Sequence, residues 1–148
     1  MTRVILTYAD YAALPDDGRR YELHEGELSV TPAPGTRHQR VIGNLFVILR
    51  HHVQAHRIGE LFLSPTDCIL SDITVVQPDI LFVDARHASR VSERAIEGAP
   101  TLAVEVLSPS TERIDRRRKL DLYARHGDRK STRLNSSHIQ KSRMPSSA

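Results

Sequence analysis

The sequence predicts an α/β domain, a mixed central sheet flanked by helices. Three observations carry that expectation. Short apolar runs of strand length, rich in β-branched residues, recur between residues 20 and 107. Residues 38–56 instead place Val41, Ile42, Leu45, Phe46, Ile48, Leu49 and Val53 at spacings of three and four, the period of an amphipathic helix. Two of the strand-like runs also carry acids where a buried strand rarely has any: Pro78-Asp79 opens Ile80-Leu81-Phe82-Val83, and Glu105 stands inside Leu102–Leu107.

Taken in order, Thr7–Leu14 reads as a short helix that packs on the sheet, with Thr7 as its cap, Asp10 in its first turn and Pro15 after its end. Arg20–Thr31 reads as a hairpin turning at Gly26, with Tyr21, Leu23, Leu28 and Val30 facing inward. On the residues alone, Glu22, Glu25 and Glu27 are solvated edge-strand charges. A loop, Pro32–Gly35, leads to the helix His38–His56, where His38 either caps the helix or orients substrate or water. His52 and His56 stand four apart, but no cysteine or carboxylate completes a zinc set, so they read as exposed histidines.

Gly59–Phe62 and Asp67–Leu70 are strand-like around Ser64-Pro65, and Val75–Val83 continues the sheet across Pro78. Proline has no N–H for the ladder, so Pro78 can aim Asp79 out of the regular pattern. Ala85–Gly98 is polar, with helical character at Ser89–Ile96, and is expected to cross over between the two acid-bearing strands by a right-handed connection. After Leu107, Ser-Pro-Ser-Thr starts a helix capped by Ser110 or Thr111, with Glu112 early and Ile114, Leu120, Leu122 and Tyr123 on its apolar side. Asp115 and Lys119, four apart, share a face of that helix and can pair.

An unpaired buried carboxylate costs several kcal/mol, so Glu105 calls for a cation, either a metal ion or a lysine. Lys119 is the lysine at hand. Asp79 and Glu105 on neighbouring strands, with a lysine near, suit a site that holds Mg²⁺ against a phosphodiester.

The net charge of +3 over 148 residues does not by itself argue for nucleic acid. The segment 128–148 holds five Lys and Arg against one acid, which leaves 16 against 17 in the body. Within the body only Arg113–Lys119 is densely basic, and it reads equally as a solvated helix face. The one cysteine, Cys68, forms no internal disulfide and reads as a small buried side chain. No apolar run approaches a membrane span and the N-terminus lacks the pattern of a signal peptide, so a cytoplasmic protein without a membrane partner is expected.

PDILFV, EVLSPST and the spaced Asp115, Lys119 and Tyr123 resemble the Uma-two family of endonucleases, within the PD-(D/E)XK restriction-endonuclease-like superfamily, over Thr7 to Gly127. The resemblance implies a restriction-endonuclease-like core and a Mg²⁺-dependent DNA endonuclease, with Mn²⁺ as a substitute ion. Asp79 and Glu105 would hold the metal, Lys119 would position or help deprotonate the attacking water, and Glu22 would assist at the rim. The family's usual lysine two places after the glutamate is Leu107 here, and Lys119 on the following helix takes its place. His38 matches a histidine recurrent in the family. A homodimer would suit double-strand cleavage.

The resemblance also frames the C-terminal segment. The family continues beyond Gly127 with another apolar strand, whereas Asp128–Ala148 resembles a translated sequencing adapter and is low in apolar residues. The expectation is an incomplete nuclease domain over residues 1–127, with the C-terminal part of the fold missing and 128–148 a disordered, non-native tail that joins no sheet. On that expectation the truncated chain is inactive or impaired as an enzyme. The competing readings are a non-catalytic DNA- or protein-binding module on the same fold and a fragment without function.

Overall fold

A computed structural model describes residues 2–107, 114–126 and 131–135 of the chain. Helix α1, Tyr8–Ala12, begins at a reciprocal capping box, in which the Asp10 carboxylate accepts from the Thr7 N–H at 2.8 Å and the Thr7 hydroxyl accepts from the Asp10 N–H. Strands β1, Arg20–His24, and β2, Glu27–Thr31, pair antiparallel around Glu25 and Gly26, both at positive φ (50° and 82°). That two-residue turn matches the right-handed twist of the strands. Gly26 is also required by space, because a Cβ there would lie 2.4 Å from Cγ2 of Ile5.

Helix α2, Thr36–His56, ends where Arg57 turns left-handed and returns its N–H to Val53 and Gln54 carbonyls. Then follow β3, Gly59–Leu63, β4, Asp67–Ser71, β5, Thr74–Val76, and β6, Ile80–Asp84. A 3₁₀ segment, Ala85–Arg90, leads to β7, Ala95–Glu97, and β8, Leu102–Leu107. Helix α3 spans Ile114–Arg125 and β9 spans Ser131–Asn135.

These strands form two sheets, a five-stranded one in the order β2-β1-β5-β4-β7 and a four-stranded one in the order β3-β6-β8-β9. Each is mixed: β4–β7 and β8–β9 are parallel, and the other pairs are antiparallel. Alternation along β6 and β8 divides their side chains between two cores. Ile80, Val104 and Val106 pack with Ile42, Leu45, Phe46 and Leu49 of α2. Leu81, Val83 and Ala103 face the other way, onto Cys68, Val76 and Ile96 of the larger sheet and Leu122 and Tyr123 of α3. Each fully buried aliphatic side chain contributes about 1.5–3 kcal/mol, so β6, with Ile80 and Leu81 at 0% exposure and Val83 at 2%, is the strand both cores depend on. Among the described residues no helix is long and apolar enough to cross a membrane.

Several expectations need correction. Residues 75–83 do not continue one sheet across Pro78: β5 and β6 belong to different sheets. The strands carrying Asp79 and Glu105 are antiparallel, not joined by a parallel crossover, and the segment between them holds the 3₁₀ turn and β7 instead of a helix at 89–96. Ala95 and Ile96 are buried there as strand residues beside β4. Leu28 and Val30, expected to face inward, are exposed, as is Ile48 of the apolar set of α2, whereas Glu22 and His24 are buried. The tail does not stay outside the sheets: Ser131–Asn135 lies parallel to β8, in register from Ala103↔Ser131 to Leu107↔Asn135, and covers that edge of the four-stranded sheet. Ser110, Thr111 and Glu112 lie outside the described residues.

Candidate active site

The candidate site lies where the chain leaves one sheet for the other. Gln77, Pro78 and Asp79 fall between β5 and β6, and each solves its backbone differently. The Gln77 N–H donates to Glu22 Oε1 at 2.7 Å. Pro78 has no N–H to satisfy. Continuing the antiparallel register Ile80↔Val104 by one step would bring Asp79 level with Glu105, and the Asp79 charge is near enough to act on the Glu105 carboxyl. One step further Pro78 would oppose Val106, and there the Asp79 side chain substitutes for the ladder, its Oδ2 accepting the Val106 N–H at 2.6 Å.

Helix α3 supplies the counter-charge. Lys119 Nζ donates to Glu105 Oε1 at 3.0 Å and lies 2.9 Å from Glu22 Oε1, bridging β8 to β1. Tyr123, one helical turn on, donates its hydroxyl to the same Glu105 oxygen at 3.0 Å. His24 Nε2 lies 2.9 Å from Glu22 Oε2, and its side chain is 1% exposed. From α2, His38 donates its Nε2 hydrogen to the Val106 carbonyl at 2.8 Å, with that nitrogen 3.3 Å from Asp79 Oδ2.

The helix is itself tied to the hairpin. Arg118 donates to the His24 carbonyl at 3.1 Å and to the Glu27 carboxylate, and Arg125 pairs with Glu25. Glu25 and Glu27 are therefore partners of α3 rather than free edge-strand charges. The Asp115 side chain, expected to pair with Lys119, lies outside the described residues.

Among the described residues the site is short of positive charge, with Glu22, Asp79 and Glu105 near one ammonium, that of Lys119. Burial, then the neighbouring Asp79 and Glu22, push the Glu105 carboxyl up to about 7 against the pull of Lys119. Burial also acts to raise Glu22, but Lys119 and the hydrogen bonds from His24 and Gln77 outweigh it and hold that carboxyl at about 2. Lys119 is disfavoured as a cation by burial, yet Glu105 and Glu22 more than compensate and raise its pKa. Burial, with Glu105 and Glu22, raises the Tyr123 hydroxyl well above its ordinary value. Both donors to Glu105 thus keep their protons at neutral pH.

Among the described residues no group of three or more His, Cys, Asp or Glu side chains is placed to hold a metal ion unaided. Asp79 and Glu105 offer two hard oxygen ligands and surplus negative charge, which fits Mg²⁺, an ion that takes one or two carboxylates and completes its shell with water and phosphate. All four residues singled out from the sequence, Glu22, Asp79, Glu105 and Lys119, come together here. The sequence reading missed His24 and the hydrogen bond from Tyr123. Strand alternation from Glu22 and helical spacing from Lys119 were the signals that could have found them.

A family model described as "Putative restriction endonuclease", Uma2, matches residues 8–130. Among curated proteins none matches. A crystal structure from Anabaena variabilis ATCC 29413, described as "a putative nuclease belonging to DUF820", is similar with a TM-score of 0.75 at 22% identity, over 88% of this chain and 74% of that one. At that identity the likeness speaks for the fold.

Proposed function

Because the chain belongs to the Uma2 family, we propose that it is a Mg²⁺-dependent DNA endonuclease, acting in the cytoplasm, whose site is Asp79, Glu105, Lys119 and Glu22. The observation that carries this reading is the half-buried Lys119 ammonium shared by Glu22 and Glu105, with Asp79 just before the facing strand. Among the described residues three carboxylates meet one lysine there, a surplus of negative charge that suits a cation and a phosphodiester arriving together.

Asp79 and Glu105 would hold the ion, which supplies Lewis-acid polarisation of the phosphate and a more acidic bound water; Mn²⁺ would serve in its place. The Val106 N–H fixes Asp79 through Oδ2, and Lys119 and Tyr123 both engage Oε1 of Glu105, so one oxygen of each carboxylate has a defined direction in which to meet a cation. Lys119, held protonated, orients the attacking water and steadies the charge that builds on the phosphorane, and it acts as a donor rather than as the base. Glu22 keeps that ammonium in place. A homodimer would cut both strands of a duplex.

Incubating supercoiled plasmid with the protein tests the reading. Nicked and then linear DNA is expected with Mg²⁺ or Mn²⁺, and none in excess EDTA. Intact plasmid at every metal concentration would leave a non-catalytic module on a nuclease fold.

A further inference from the structure

We propose that His24 is a positioning residue, which sets the place of the Lys119 ammonium by holding Glu22. The inference rests on the site reading above, and it begins from the pleat of β1. Glu22 and His24 are two apart, share a face of the strand, and are 2% and 1% exposed. The Glu22 carboxylate is held from three directions: the Gln77 N–H and Lys119 meet Oε1, and His24 meets Oε2.

An ionised carboxylate has no hydrogen to give, so the hydrogen between His24 and Glu22 belongs to Nε2. The other ring nitrogen, Nδ1, is buried with no hydrogen-bond partner among the described residues. A buried polar atom left unsatisfied is a standing cost, so the ring is not placed for its own hydrogen bonding; what it gains in this position is the bond to Glu22. The backbone of His24 is locked to α3 as well, since Arg118, the neighbour of Lys119, donates to its carbonyl.

Removing the Nε2 donor would leave Oε2 of Glu22 unsatisfied in a closed site. The carboxylate would then be free to turn, and its grip on the Lys119 ammonium would loosen. A histidine that only filled space would be replaced without such an effect by any side chain of similar size.

The test compares His24→Met with His24→Gln, two side chains of similar volume of which only glutamine can donate to Glu22. The readout is the acylation rate of Lys119, measured by mass spectrometry against the unfolded chain. Loss of one charge-assisted hydrogen bond is expected to speed Lys119 acylation about tenfold in His24→Met and to leave His24→Gln within about twofold of wild type. Equal rates in the two variants, whether both slow or both fast, would overturn the proposal. Should His24→Met fail to fold, His24→Asn, polar but too short to reach Glu22, takes its place with the same expected rise, and a rate equal to that of His24→Gln overturns the proposal again. Mg²⁺-dependent plasmid cleavage is measured in parallel. Acylation rates that separate as expected, with no cleavage by any form including wild type, support the positioning role while removing the nuclease reading.

Discussion

A carboxylate in the middle of an apolar strand is stable only with partners, and at Glu105 the partners pull in opposite directions. Burial, Asp79 and Glu22 favour its protonated form; Lys119 favours the ionised one. Because the folded-state pKa is raised to about 7 from the ordinary 4.5, the stability it contributes is fully present below pH 4.5 and is lost as pH rises through 7. Glu22 has the opposite sign: its pKa is lowered to about 2, so its contribution is present above pH 4.5 and is lost as pH falls towards 2. Urea unfolding of the metal-free protein is therefore expected to give maximal stability near the ordinary carboxylate pKa, with a decline towards pH 8 that Glu105→Gln abolishes. If that decline persists in Glu105→Gln, Glu105 is not its cause. Lys119→Met removes the cation from two carboxylates and should cost about 3–5 kcal/mol at pH 8, measured by the same method, with part of the loss recovered at pH 5 and Mg²⁺ binding retained. Glu105 was legible in the sequence because an acid within LAVEVL breaks the pattern of its own strand. His24 was legible only through Glu22, whose face it shares by strand alternation, because on the residues alone a hairpin crowded with glutamates reads as solvated.

At the scale of elements, the break between β5 and β6 and the docking of α3 on the hairpin together assemble the site. The periodicity of α2, the capping box of α1 and the turn at Gly26 were readable because each depends on neighbours in sequence. The change of sheet at Pro78 was not, since a strand interrupted by proline looks the same whether its halves pair with one sheet or two. Residues 85–98 misled for a similar reason: a polar segment between two apolar runs resembles a crossover, whereas the structure folds it back, with the Thr101 N–H on the Phe82 carbonyl and β6 and β8 antiparallel. The parallel pairing of β9 with β8 reverses the expectation that the C-terminal segment is dispensable. Deleting residues 128–148 strips a strand from that edge, and calorimetry should show stability lower by on the order of 2–4 kcal/mol, with a stronger tendency to associate through the bared strand. An unchanged melting temperature would mean that the β8–β9 ladder contributes nothing to the fold.

For the molecule as a whole, the two sheets with helices α2 and α3 bring Glu22, Asp79, Glu105 and Lys119 together, and burial with the crowding of like charges disfavours the ionised form of Glu105. A cation bound by Asp79 and Glu105 should relieve that crowding, so Mg²⁺ should raise the melting temperature, and more at pH 8 than at pH 5, where Glu105 holds its proton and competes with the metal. A rise of equal size at both pH values would place the ion elsewhere. On the proposed function, Glu105 is kept at a cost to the fold because it would hold the metal for phosphodiester cleavage. The most direct test is single-turnover cleavage of supercoiled plasmid by Glu105→Gln in Mg²⁺, alongside thermal melting of the same variant without metal. The expected result is a melting temperature equal to or above that of wild type, with cleavage slower by a factor on the order of a thousand; cleavage at the wild-type rate by a folded Glu105→Gln would contradict it.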